Sequence, residues 1–263
     1  MCFSLGYRQV VRQWTLTPSS LGSNPSTPAN VNSPVQNFWT GFLFVKRKGE
    51  KMNQEDLKLY AITDRRWLKD GFSLQEAVKE AIEGGATMIQ LREKEIDFEA
   101  FLQIAKEIKK ITDTFRVPLI INDNVDVAVA VDASGVHVGQ EDLEAGEVRK
   151  RIGAEKILGV TAKTVEQAKK AEAAGADYLG TGALFPSPSK KNAIPVSREI
   201  LQEVCEAVSI PVVGIGGIDE TNIVSLRDTS IAGVAVISGI FAKPDIKKAA
   251  KTLCELWENG KIS

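Results

Sequence analysis

Histidine occurs once in these 263 residues, at position 137, and that scarcity removes several chemistries at once. A His/Cys zinc centre needs three or four ligands, which one histidine and scattered cysteines cannot supply. No Ser/His/Asp or Cys/His pair is apparent, so triad hydrolysis is not indicated. Cysteine is nearly as scarce. Cys2, Cys205 and Cys254 are odd in number and lack ligand spacing, which argues against a disulfide framework and for a reducing, cytoplasmic setting. Neither sign of charge is in excess: the net charge of −1 excludes a nucleic-acid role driven by bulk electrostatics. Long apolar runs are missing too, so no membrane-spanning segment is expected. What is present is ordinary for a globular protein, 43% hydrophobic and 25% charged residues.

The first 51 residues differ from the rest of the chain. They are rich in Ser, Pro, Asn and Thr and carry two of the four tryptophans. They hold six basic residues (Arg8, Arg12, Lys46, Arg47, Lys48, Lys51) against the single acid Glu50. Without them the chain has 27 basic and 33 acidic residues, a net charge of −6. Their apolar residues are scattered rather than gathered into the core of a signal peptide, and the best run, 38–45, is too short to cross a bilayer. The expected organisation is an N-terminal extension over 1–51, disordered or not natively translated, preceding a single folded domain over 52–263. Two coding possibilities favour the second origin. Gly-Ser-Asn-Pro-Ser at 22–26 can be written GGT-TCG-AAT-CCC-TCC, the T-arm of a transfer RNA gene. Gly-Glu-Lys-Met at 49–52 can be written GGA-GAA-AAA-ATG, a purine-rich ribosome-binding sequence before a start at Met52. A native peptide containing any of residues 1–51 would contradict this hypothesis.

Beyond Met52 the chain alternates regularly. Short apolar runs at 57–62, 87–91, 117–121, 135–138, 156–160, 177–180, 211–215 and 233–237 read as buried strands. Helical spacing fills the intervals: 73–83, 98–111, 125–131, 143–152, 164–174, 197–208, 219–226 and 245–257. Ser73 with Glu76 three residues on forms a capping-box signature, and Gly84-Gly85 stops that helix. Eight strand–helix units in about 200 residues are the pattern of a single α/β (β/α)8 TIM barrel. An open doubly wound sheet fits the eightfold succession less well.

In such barrels the site lies at the carboxyl ends of the strands. The sequence repeatedly turns polar there: Gln90-Leu91-Arg92-Glu93-Lys94, Asn122-Asp123 and His137-Val138-Gly139-Gln140-Glu141-Asp142. Glycine clusters come after the last two strands, at 214–218 and at Ile237-Ser238-Gly239. Glycines let backbone N–H groups approach phosphate oxygens, although they also serve tight turns. Asp123 and Asp142 succeed neighbouring strands and could share Mg²⁺, which favours few carboxylates plus substrate phosphates. Alternatively Asp142 caps a helix and Asp123 pairs with a lysine. The loop Phe185-Pro186-Ser187-Pro188-Ser189-Lys190-Lys191 has the composition of a phosphate-gripping lid, or of a plain solvated turn. His137 lies inside a four-residue strand, which favours a packed, hydrogen-bonded role.

Taken together these motifs resemble the thiamine phosphate synthase family. The likeness runs from Leu57 to about Leu256 and includes Tyr60-x-Ile62-Thr63-Asp64, Gln-Leu-Arg-Glu-Lys and Gly-x-His-x-Gly-Gln-Glu-Asp. The resemblance implies a TIM barrel that couples a pyrimidine methyl diphosphate to a thiazole ethyl phosphate, releasing pyrophosphate. Carried over by position, Gln90, Leu91, Arg92, Glu93, Lys94, Asn122, Thr161 and Lys190 would contact the pyrimidine diphosphate. Arg92, Lys94 and Lys190 would neutralise the leaving group. Asp123 and Asp142 would hold Mg²⁺. Ser187, Pro188, Ser189, Gly217, Ile237 and Ser238 would bind the thiazole phosphate. Thr161 stands where the family usually has Ser, and Ser187-Pro188-Ser189 where it has Thr-x-Thr; each swap keeps a hydroxyl. The expected partners are two phosphorylated small molecules and a second copy of the chain in a homodimer. A thiazole tautomerase and a non-catalytic phosphate-ligand sensor are the competing readings, and magnesium-dependent pyrophosphate release separates them.

Overall fold

A computed structural model describes residues 52–69, 71–186 and 195–259. The expectations for 1–51 and for Ser187, Pro188, Ser189 and Lys190 lie outside the described residues. Eight parallel strands close into one barrel in sequence order: β1 (Leu59–Ile62), β2 (Met88–Leu91), β3 (Leu119–Asn122), β4 (Gly135–Val138), β5 (Ile157–Thr161), β6 (Tyr178–Thr181), β7 (Val212–Ile215) and β8 (Gly233–Val236). β8 pairs back onto β1 through Leu59↔Val234 and Ala61↔Val236, so the sheet has no edge. The helices are α1 (Leu74–Glu83), α2 (Phe98–Phe115), α3 (Val125–Ala130), α4 (Ala145–Ile152), α5 (Val165–Ala173), α6 (Arg198–Ala207), α7 (Ser238–Phe241) and α8 (Ile246–Glu258). Short 3-10 turns at Gln54–Leu57, Arg65–Trp67 and Ile223–Leu226 complete the frame.

Strand alternation sorts the side chains into two cores. Leu59, Ala61, Ile89, Leu91, Leu119 and Ile121 point outward and pack with the apolar faces of the helices. Tyr60, Ile62, Met88, Ile120, Tyr178 and Val213 point inward and fill the barrel. Because both faces are covered, the strands read as continuous apolar runs rather than as alternating ones. The capping box at the start of α1 is formed: the Glu76 N–H donates to Ser73 Oγ at 3.1 Å, and the Ser73 N–H donates to the Glu76 carboxylate at 3.0 Å. α2 runs past 111 to Phe115 and ends on Arg116, which takes the left-handed conformation at φ 58°.

Two helix expectations are corrected. The interval after β7 holds only the 3-10 turn Ile223–Leu226 instead of a helix over 219–226. There the Asp219 carboxylate accepts from the Thr221 N–H and hydroxyl, and Asn222 Oδ1 accepts from the Asp219 N–H at 3.0 Å. These local side-chain bonds compete with a helical first turn. α4 begins at Ala145, not at 143, so Asp142 is not its N-cap; Glu144 takes that place without a side-chain cap bond.

Candidate active site

Residues from all eight strands line a cleft of about 80 Å³ at the carboxyl end of the barrel, among them Gln90, Arg92, Asn122, His137, Thr161 and Ile237. The register explains the convergence. Ile62 pairs with Gln90, Asn122 with His137, and Thr161 with Gly180, so inward positions at the strand ends meet in one layer.

Beneath that layer runs a chain of hydrogen bonds. The buried Gln90 amide donates to the Tyr60 hydroxyl at 2.6 Å, and Tyr60 and Tyr178 share a hydrogen bond of 2.8 Å. Tyr178 meets His137 Nδ1 at 3.0 Å, and His137 Nε2 meets Thr161 Oγ1 at 3.0 Å. The chain therefore links two expected substrate contacts, Gln90 and Thr161, through the barrel floor. The tyrosine rings meet edge to face with centroids 5.8 Å apart. Burial pushes both tyrosine hydroxyls well above the ordinary phenol range, so both stay protonated and able to donate. Gly159 makes this possible: a Cβ there would overlap the Tyr178 hydroxyl and the His137 ring. His137 thus has the hydrogen-bonded role expected of it. The sequence marks Tyr60 only as part of a family motif, with no role, and does not mark Tyr178; the available signal is a polar aromatic at an inward position of an otherwise aliphatic strand.

Asp123 and Asp142 come together at the rim. Asp123 adopts φ 61°, a left-handed conformation that Asp tolerates better than most residues, and its N–H donates to the His137 carbonyl at 2.9 Å. Its carboxylate accepts from Lys94 Nζ at 2.9 Å and from the Asn122 amide at 2.5 Å. The Asp142 carboxylate accepts from the Gly139 N–H at 2.7 Å. Burial, with the adjoining Asp123 carboxyl second, pushes the Asp142 carboxyl above its usual range, while the Gly139 N–H and Lys94 pull the other way. Two carboxyls pressed together in this way suit a divalent cation, which relieves their repulsion. Among the described residues no group of three or more His, Cys, Asp or Glu gathers. The protein therefore offers a two-carboxylate set, which matches the habit of Mg²⁺ of completing its shell with water and substrate phosphate.

The segment after β2 divides by role. Gln90 and Arg92 face the cleft, and Lys94 lies on the rim. Leu91 points the other way, fully buried in the outer core, so its side chain does not reach the mouth. The Glu93 carboxylate is also buried and is gripped by Arg65, from Nε at 3.1 Å and Nη2 at 2.9 Å. On the far side Gly217, Ile237 and Ser238 are half-buried, and Ile237 lines the cleft. Gly217 sits at φ 66°, and a Cβ there would overlap the Phe185 and Pro186 carbonyls, so this glycine is required by close approach of two loops. Ser238 opens α7, the short helix after β8 that often supports phosphate in this architecture.

Closed barrel, strand-end cations and paired carboxylates define a (β/α)8-barrel enzyme. The model of the thiamine monophosphate synthase family matches residues 59–240, and the chain belongs to that family. It is 55% identical over 198 residues to the thiamine-phosphate synthase of Clostridium tetani, spanning 75% of this chain and 94% of that one. It is 52% identical over 204 residues to the enzyme of the same name from Ruminiclostridium cellulolyticum, spanning 78% and 97%. Among solved structures it resembles the thiamine phosphate pyrophosphorylase of Pyrococcus furiosus, with a TM-score of 0.73 and 38% identity over 79% of this chain and 98% of that one. No helix among the described residues is long and apolar enough to cross a membrane.

Proposed function

We infer that this chain is a thiamine phosphate synthase that joins a pyrimidine methyl diphosphate to a thiazole ethyl phosphate. The observation that carries the site assignment is the adjoining Asp123–Asp142 pair with Lys94 on it, one strand away from Gln90 and Arg92. That pair would hold Mg²⁺, and Mg²⁺ when bound supplies positive charge to the diphosphate oxygens.

The chain's own residues then account for the rest. Arg92 and Lys94, with Lys190 as a further cation carried by the family resemblance, neutralise the charge that grows on the departing diphosphate. The bond between the pyrimidine methylene carbon and the diphosphate oxygen breaks, and its electron pair leaves with the diphosphate. The aminopyrimidine stabilises the methylene cation, and the thiazole nitrogen donates its lone pair to form the new C–N bond. No strong general base is needed. The Gln90–Tyr60–Tyr178–His137–Thr161 chain holds Gln90 and Thr161 in fixed orientations below the reacting carbon, so positioning contributes much of the rate. Gly217, Ile237 and Ser238 take the thiazole phosphate, with Ser187, Pro188 and Ser189 as further contacts carried by the family resemblance, and keeping water from the cation protects it until the thiazole attacks. The acidic pair argues against the tautomerase reading, whose resemblance carries no such pair. Two chains would form the homodimer.

Mass-spectrometric detection of thiamine phosphate tests the assignment. We expect formation by the wild-type protein and a loss of about 100-fold or more in Asp123→Ala and Lys190→Ala, both folded. Near-normal rates in either variant would contradict the site.

A further inference from the structure

The β1 loop grips the end of β2 at Gln90, Arg92 and Glu93. The Thr63 N–H donates to the Gln90 carbonyl at 2.9 Å, and the Arg92 N–H donates back to Thr63 Oγ1 at 3.0 Å. Arg65 holds the buried Glu93 carboxylate. Between these clamps lies Asp64, whose side chain is only 3% exposed. Its carboxylate accepts from Arg66 Nε at 2.9 Å and Nη2 at 2.5 Å, and Arg92 Nη1 lies 3.8 Å from the same Oδ2. Burial pushes this carboxyl up, but the hydrogen bonds and charge of Arg66, with Arg92 behind, outweigh it and hold Asp64 ionised below the usual range.

A buried carboxylate must be matched by cations, and here two guanidinium groups of unlike character share one. Arg66 is 62% exposed, whereas Arg92 is 16% exposed and lines the cleft. A guanidinium is a rigid fork of five donors. The Asp64 charge 3.8 Å from one edge of the Arg92 fork favours orientations that leave its other N–H groups free for an oxyanion, which reduces the rotamer freedom lost on binding.

We propose that Asp64 is a positioning residue that orients the Arg92 guanidinium toward the substrate diphosphate, Arg66 being a solvent-side partner that shields the carboxylate without sharing this task. The proposal rests on the synthase reading, which places the diphosphate at Arg92. Asp64 also caps the Arg65–Trp67 turn by accepting from the Arg66 N–H at 3.2 Å, a role that Asn keeps while losing the charge. That difference separates the two functions.

Calorimetric binding of inorganic pyrophosphate with Mg²⁺ to the full chain is the direct readout, with turnover measured alongside. Asp64→Asn is expected to weaken pyrophosphate binding about tenfold and to lower kcat more than it changes KM. Arg92→Ala should weaken binding at least as much, and the double variant no further, because both changes remove one oriented guanidinium. Arg66→Lys, which keeps a cation on the carboxylate, should retain binding and turnover. Tighter binding in Asp64→Asn, the sign expected if only a repelling charge were lost, would overturn the proposal. Full additivity of Asp64→Asn with Arg92→Ala would overturn it as well. If Asp64→Asn does not fold, Asp64→Ser, which also caps, takes its place; loss of fold in both would make Asp64 structural and the proposal wrong. Should wild-type turnover be absent while the binding cycle behaves as described, the synthase reading fails and the positioning role stands.

Discussion

Tyr178 and His137 touch across the space that Gly159 leaves vacant, and this contact shows how single residues shape the site. An added methyl at Gly159 has nowhere to go, because strands on both sides fix the backbone. Gly159→Ala should therefore cost about 1–3 kcal/mol in denaturant unfolding, from overpacking. It should also lower turnover by displacing the Thr161 hydroxyl; unchanged stability would show that the ring layer is looser than described. At this scale the sequence is informative about charge and poor about partnership. Gln90, Arg92, Lys94, Asn122, Asp123 and Asp142 can be picked out because polar residues just past apolar strands are conspicuous. That Glu93 belongs to Arg65, and that Leu91 faces the outer core, depends on which side of a strand end each residue leaves. A one-residue change of face inverts that reading. Tyr60 and Tyr178 lie 118 positions apart, and nothing local in either strand signals that the barrel joins them.

Elements are legible in proportion to how far local bonding agrees with the fold. The Ser73–Glu76 capping box is written in the sequence and is formed. Ser73→Ala should lower stability by about 0.5–2 kcal/mol, measured by thermal unfolding, since it leaves a first-turn donor unpaired. The interval after β7 misleads because Asp219, Thr221 and Asn222 satisfy one another in a turn. The 3-10 turn Gln54–Leu57 below β1 bears on the pH dependence of stability. Asp56 Oδ2 is buried and has no hydrogen-bond partner among the described residues. Burial, with Glu55 adding to it, raises the Asp56 carboxyl from 3.8 to about 6. The folded state then binds this proton more tightly than the unfolded chain does, so Asp56 costs stability progressively as pH rises from about 4 to 6. Asp56→Asn should match the wild type near pH 4 and exceed it by an amount that grows to a plateau above pH 6. A difference that does not change with pH would contradict the burial of that carboxyl.

The whole molecule is the most legible scale. Eight apolar runs separated by helical spacing leave little choice but a closed barrel, and closure then dictates that every strand end contributes to one mouth. The family match begins only at residue 59, beyond the 51 residues whose composition sets them apart. A chain starting at Met52 should equal the full chain in turnover and melting temperature; a loss of either would show that the preceding residues serve the barrel.

Pyrophosphate release, monitored with each of the two substrates and Mg²⁺ omitted in turn, tests the central claim most directly. Release only when all three are present is the predicted result. Release without the thiazole phosphate, or none from folded protein given every component, would contradict the assignment of this barrel as a thiamine phosphate synthase.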